Sequence, residues 1–156
     1  MFGSHTMSMD GAAINTGCAL KNLLKENMRM KTYNGDGAKI WIVPDGYLPD
    51  RGLGPLEGHE ALMITNTSSK KADAKIDVYF EDKEAVKDIS VEVGAERVLC
   101  IRLDKPFGKI NYKIPGPDVQ YSLRVRSNVK IVVQFGRLDV RQPNLAYYGT
   151  MAYPVK

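Results

Sequence analysis

The chain has 156 residues, 44% hydrophobic and 26% charged, with 22 Lys and Arg against 18 Asp and Glu for a net charge of +4. That length suits one compact domain burying roughly two thirds of its unfolded surface, and the composition excludes bulk disorder and a coiled-coil rod. No run approaches the roughly 18 uncharged apolar residues of a membrane span, and two cysteines with two histidines are too few for a disulfide scaffold or a four-ligand metal set; the expectation is a soluble, cytoplasmic protein without cofactor or structural metal.

In chain order, residues 1–38 read as an extension and 39–156 as a β-domain. Phe2 to Met9 (FGSHTMSM) has the composition of a tag remnant and is set aside. Cys18 to Lys31 (CALKNLLKENMRMK) places Leu20, Leu23, Leu24, Asn27 and Met28 at helical spacing, with Lys21, Lys25 and Arg29 elsewhere on the cylinder, which predicts a short amphipathic helix. The Asn34-Gly35 and Asp36-Gly37 pairs mark a turn or linker after it.

From Lys39 the pattern changes to short β-branched runs punctuated by Gly, Pro, Asn and Asp. The predicted strands are 39–43, 60–66, 74–80, 89–93, 97–103, 121–127, 129–138 and roughly 146–153, with ends good to about 3 residues. In Ile76, Val78 and Phe80 against Asp77 and Tyr79, and in Ile89, Val91 and Val93 against Ser90 and Glu92, the period of two gives each strand one apolar face. About eight such strands without helices between them indicate an all-β fold, a single antiparallel sandwich or small barrel. Two connections are long. Pro44 to His59 (PDGYLPDRGLGPLEGH) exceeds a hairpin, and long ordered loops are often functional; Asp104 to Val119, with Pro106, Pro115 and Pro117, is expected to cross between sheets.

Candidate chemistry is sparse. Asp45-Gly46 reads first as a turn, with Tyr47 packed on the end of the sandwich; alternatively Asp45 and Tyr47 offer a carboxylate and an aromatic platform to a sugar-like ligand. Trp41, between Ile40 and Ile42, defaults to the core. His59-Glu60 could do acid–base work, but a loop histidine is more often a hydrogen-bonding strut, and no nucleophile, phosphate loop or paired catalytic carboxylates accompany it, so no enzyme is expected. Glu81, Asp82 and Glu84 read as a solvated turn. Arg124 and Arg126 alternate with Leu123 and Val125, and Arg137, Asp139 and Arg141 with Leu138 and Val140; side by side, two such strands would form an arginine-rich face with Asp139 inside it. Such a face suits surface ion pairing, or an anion or interface site.

Residues 39–153 resemble the sensory rhodopsin transducer family, soluble β-sandwich proteins. The matching features are Trp41 on the first strand, Asp-Gly-Tyr-Leu-Pro at 45–49, Gly-His-Glu at 58–60, and SNVKIVVQFGRLDVRQ at 127–142, the most specific of them. The resemblance implies a homo-oligomer, a tetramer in the type member, with a non-enzymatic sensing role. It implies sugars or related metabolites as ligands, and Trp41, Asp45, Tyr47, His59, Glu60, Asn128, Arg137, Asp139 and Arg141 as ligand-contacting or family-defining positions. The chain departs from the type member in its extension and in carrying Phe135-Gly136 where a His-Thr pair is expected. Two functions compete: a module binding a small polar metabolite, and a transducer docking on the cytoplasmic face of a membrane photoreceptor, a rhodopsin. DNA binding, resting on the basic charge and the strand arginines, ranks third.

Overall fold

Alternating residues become strands where a neighbouring strand takes up their backbone groups, and from residue 38 onward almost every such run finds one. The computed structural model describes residues 20–25 and 34–156, and the chain divides into two compact units, Met1–Lys31 and Thr32–Lys156. In the first, residues 20–25 are helical with exposed leucines, inside the predicted helix. The rest of that helix and the tag-like segment lie outside the described residues.

The second unit is an all-β sandwich of eight strands: β1 (Ala38–Tyr47), β2 (His59–Asn66), β3 (Ala72–Phe80), β4 (Val86–Val93), β5 (Arg97–Arg102), β6 (Gln120–Asp139), β7 (Ala146–Met151) and β8 (Tyr153–Val155). All pairings are antiparallel. One sheet runs β4-β3-β6-β1-β8, and the other joins β5, β2, the second half of β6, and β7. The connection over residues 103–119 leaves β5 in one sheet and enters β6 in the other, the crossing its prolines suggested. Leu62, Ile64, Val133 and Phe135 from one sheet and Ile76, Val78, Ile89, Leu123 and Val125 from the other are fully buried in the core.

Three features differ from the expectation. The predicted strands 121–127 and 129–138 are one 20-residue strand, β6. Its odd-numbered residues stay buried from Tyr121 to Val125 and again from Val129 to Phe135; only Ser127 interrupts the apolar series, which is why the pattern read as a break. Against β1 the register jumps from Ile40↔Arg126 to Ala38↔Ile131, so β6 bulges and bends at 127–130, a device that lets one strand serve two sheets. Asp45-Gly46 is no turn. It lies within β1, where one extra residue between Val43↔Leu123 and Gly46↔Tyr121 makes a second bulge. The predicted last strand is two, β7 and β8, which lie in different sheets on either side of buried Ala152.

The β6 bend is held from the amino-terminal side. The Trp41 indole N–H donates to Ile131 O at 2.9 Å and to Ala38 O at 3.0 Å, and Lys130 N–H donates to Asn34 O at 3.2 Å. Asn128 accepts the Asp73 amide at 2.9 Å. Gly37, at φ 90°, lies so close that a Cβ would fall 2.1 Å from Ile131 O. Gly37→Ala should therefore cost about 1–3 kcal/mol or more from backbone strain and the clash together. Urea denaturation followed by the fluorescence of the single tryptophan checks this, and Trp41→Phe, read by far-ultraviolet circular dichroism, should cost about 1–3 kcal/mol for the carbonyl it leaves unpaired.

Candidate functional site

At the end of the sandwich opposite the β6 bend the core becomes polar. Glu60 occupies a core-facing position of β2, in series with Leu62 and Ile64, and is completely buried. Its register partner on β6 is Arg137, also on the inward, odd-numbered series. Arg137 Nε donates to Glu60 Oε1 at 2.7 Å, and the Tyr47 amide donates to the same oxygen at 2.9 Å. From the facing sheet the buried Tyr121 hydroxyl donates to Glu60 Oε2. Burial, with the Glu60 charge beside it, pushes the Tyr121 hydroxyl far above its ordinary pKa, so it stays protonated as a donor. A carboxylate removed from water is tolerable only when its lone pairs are met in this way.

Asp45 extends the network outward. Its carboxylate accepts from Gln120 Nε2 at 3.1 Å and lies 3.7 Å from Arg137 Nη2. The Arg137 guanidinium carbon also lies 6.0 Å from the centre of the Tyr148 ring of β7. Two hollows flank this network and share Pro44. The larger, a cleft of about 700 Å3, is lined by Tyr47, Gln120, Tyr121, Tyr79, Phe80 and Asp118 among others. The smaller, about 170 Å3, is lined by Asp45, Tyr148, Thr150 and Tyr153 among others. At the cleft mouth the Tyr47 hydroxyl donates to Asp118 at 2.8 Å. That bond to a carboxylate raises the Tyr47 pKa, with Arg141 acting in the opposite sense. Arg141 in turn grips Asp139 through Nε at 3.0 Å and holds that carboxyl below its usual range.

Of the nine candidate positions, the structure brings together Asp45, the Tyr47 backbone, Glu60 and Arg137, and beside them the Tyr47 side chain, Asp139 and Arg141. Trp41 is packed in the core and Asn128 ties the β6 bend to β3, both away from the cleft. His59 follows Glu60's strand but points to the opposite face, as neighbours in a strand must; its Nδ1 bonds Glu57 O at 2.9 Å, a strut. The arginines do not form one face. Arg124 and Arg126 are even-numbered and lie outside the sheet, paired with buried Asp77 at 3.0 and 2.8 Å, whereas Arg137 is odd-numbered and points inward to Glu60. Burial raises the Asp77 carboxyl, but hydrogen bonds from Arg126 and the Asp88 amide with the two guanidinium charges outweigh it and hold it below the usual range. Tyr121, Gln120, Asp118 and Tyr148 were missed in the sequence. Tyr121 could have been found as the aromatic head of the alternating run Tyr121, Leu123, Val125, while nothing local marks the others. Among the described residues no group of three His, Cys, Asp or Glu is placed to hold a metal ion, and no helix is long and apolar enough to cross a membrane.

The family described as Anabaena sensory rhodopsin transducer matches residues 36–154, the whole span from Trp41 through Arg141 included. The chain belongs to the sensory rhodopsin transducer family. Among solved structures, that of Thermotoga maritima 1070 is similar at 37% identity and a TM-score of 0.67, over 77% of this chain and 97% of that one. The Anabaena sensory rhodopsin transducer is similar at 32% identity and a TM-score of 0.55, over 65% of this chain and 95% of that one. No curated protein matches the chain.

Arg137→Ala should lower stability by about 3–5 kcal/mol because it leaves the Glu60 carboxylate buried without a cation; the double variant Glu60→Gln with Arg137→Met should recover a large part, as read by chemical denaturation. His59 gives a pH effect. Burial depresses its pKa, helped by the Arg102 and Lys105 charges and opposed by Asp104, so between the folded value and the unfolded value near 6.5 the unfolded chain binds more protons. Stability should fall as pH drops from 7 through 6.5 toward 5, and His59→Gln should flatten that segment of a Tm-against-pH curve.

Proposed function

We propose that this member of the transducer family is a non-enzymatic sensor. It binds a small polar metabolite, a sugar or a related polyol, in the cleft lined by Tyr47, Gln120 and Tyr121, and passes the event to a membrane partner of the rhodopsin type. The observation that carries this reading is the buried Glu60, which fixes two walls of that cleft, Tyr47 through its amide and Tyr121 through its hydroxyl. A preorganised polar pocket beside aromatic rings loses little ordering entropy on binding and rejects ligands that leave its groups unpaired. Asp118 and Gln120 at the rim supply an acceptor and an amide, the groups hydroxyls need. The protein acts in the cytoplasm as a homo-oligomer, a tetramer on the family resemblance.

A second reading, docking on a photoreceptor without a small-molecule ligand, is favoured by one observation: all six residues of β7 are exposed, Tyr147 at 70% and Met151 at 52%, and Tyr153 of β8 at 68%. Exposed tyrosine and methionine on edge strands suit a protein partner. DNA binding has less support, since Arg124, Arg126, Arg137 and Arg141 are each engaged by a carboxylate.

A thermal-shift screen against sugars, sugar acids, sugar phosphates and nucleotides tests the two, because a ligand of the folded state raises Tm. A saturable rise of Tm, lost in Gln120→Ala and in Asp45→Ala, is the expected result. No shift across the panel transfers the function to the docking reading.

A further inference from the structure

Three polar residues of the cleft wall, Tyr47, Gln120 and Tyr121, are tied to the same guanidinium. Tyr47 and Tyr121 reach Arg137 through Glu60, and Gln120 reaches it through Asp45. The two links are not equivalent. Arg137 Nε makes a full hydrogen bond to Glu60 at 2.7 Å, but Asp45 stands 3.7 Å from Nη2, an ion-pair separation too long for a hydrogen bond. That Nη2 is buried and has no hydrogen-bond partner. An unpaired donor of a charged group is costly, and the Asp45 carboxylate that faces it is tied through its other oxygen to Gln120, itself a lining residue of the cleft. The Asp45 side chain is 59% exposed, so it has room to swing. Its Oδ1 is seated on the Gln120 amide while its Oδ2 faces Arg137 Nη2, so a carboxylate released by Gln120 can turn and close the remaining gap to that nitrogen.

We propose that Asp45 is a two-position switch that couples the cleft to the β7 edge. This rests on the reading of the cleft as a ligand site. A ligand hydroxyl or carbonyl that takes the Gln120 amide releases Asp45 to close on Arg137. The guanidinium, then held by two carboxylates in place of one, reseats against Tyr148, 6.0 Å from its carbon. Tyr148 belongs to β7, a strand exposed along its whole length and paired only with β6, so its free edge can report the change to a partner. The Asp45 and Tyr148 side chains also border one hollow of about 170 Å3, which gives the ring space to follow the guanidinium. Coupling of this kind needs two arrangements whose balance both sites bias; the Asp45 carboxylate supplies them.

The switch can be tested without a ligand. Gln120→Leu removes the competing donor and touches nothing on β7. In the isotope-labelled full chain, amide exchange of the β7 residues facing β6 should slow by about fivefold or more, the lower end of ordinary allosteric coupling, and the Arg137 Nε–H resonance should move. Adding Asp45→Ala should erase both effects, because the carboxylate that moves is gone. Ser122→Ala, on the cleft wall outside the relay, should leave β7 unchanged. Unaltered β7 exchange in Gln120→Leu, or a change that survives Asp45→Ala, overturns the switch. Such a failure leaves the thermal-shift result standing, and a ligand panel without hits leaves this coupling standing, so the two ideas fail separately.

Discussion

A strand that belongs to two sheets has to bend, and most of this structure follows from how β6 does so. The bulge at 127–130 divides β6 into arms of similar length, Tyr121–Ser127 and Ile131–Arg137, each about 20 Å long at the usual rise per residue. Because the odd-numbered residues face inward on both arms, the two ends of the strand present Tyr121 and Arg137 to each other across the sandwich. Glu60, entering from β2, takes both. The bend is thus closed at its open end by one carboxylate, and the chain ends up with an apolar core capped by a charged one. The cost of burying that charge is met by three donors drawn from β1 and from both arms of β6, so the polar cap can form only when both sheets are in place.

The same bend explains what was legible in the sequence. Strand positions and the all-β class were readable because alternation is local, and β2 with most of β3 and β4 follows it, while the transducer resemblance rested on the motifs at 45–49, 58–60 and 127–142. The continuity of β6 was not readable, since Ser127-Asn128 looks like an interruption when the residues that repair it, Trp41, Gly37 and Asp73, lie up to 94 positions away in the sequence numbering from the carbonyls and amides they meet. Asp45-Gly46 misled for the opposite reason. Its composition is that of a turn, but Gly46 is there because the Tyr121 ring leaves no space for a Cβ, which would fall 2.5 Å from it.

The candidate site was half visible. Glu60 and Arg137 were picked out, yet as the acid beside a loop histidine and as part of an arginine face. Parity places them correctly: Glu60 shares its face with Leu62 and Ile64, and Arg137 shares its face with Val133 and Phe135. Charged residues continuing an apolar series are buried charges, and two such series on paired strands predict an ion pair where they end. Gln120, Asp118 and Tyr148 carry no such mark: Gln120 and Asp118 stand at and just before the start of β6, and Tyr148 lies in β7, where all six residues are exposed.

The placement of charge also bears on how the molecule can signal. Outside the site, Arg124 and Arg126 pair with Asp77, and Arg126 also with Asp88, which leaves the buried Arg126 Nε without a partner. Inside it, both Glu60 oxygens are met, but the Arg137 nitrogen nearest Asp45 is not. A network in which every group is met is rigid, and one with a single unmet donor beside a movable acceptor has a second state within reach. The fold therefore concentrates rigidity at Glu60, where the cleft walls must be held, and leaves an adjustable contact between Asp45 and Arg137, where the cleft meets the exposed strand β7.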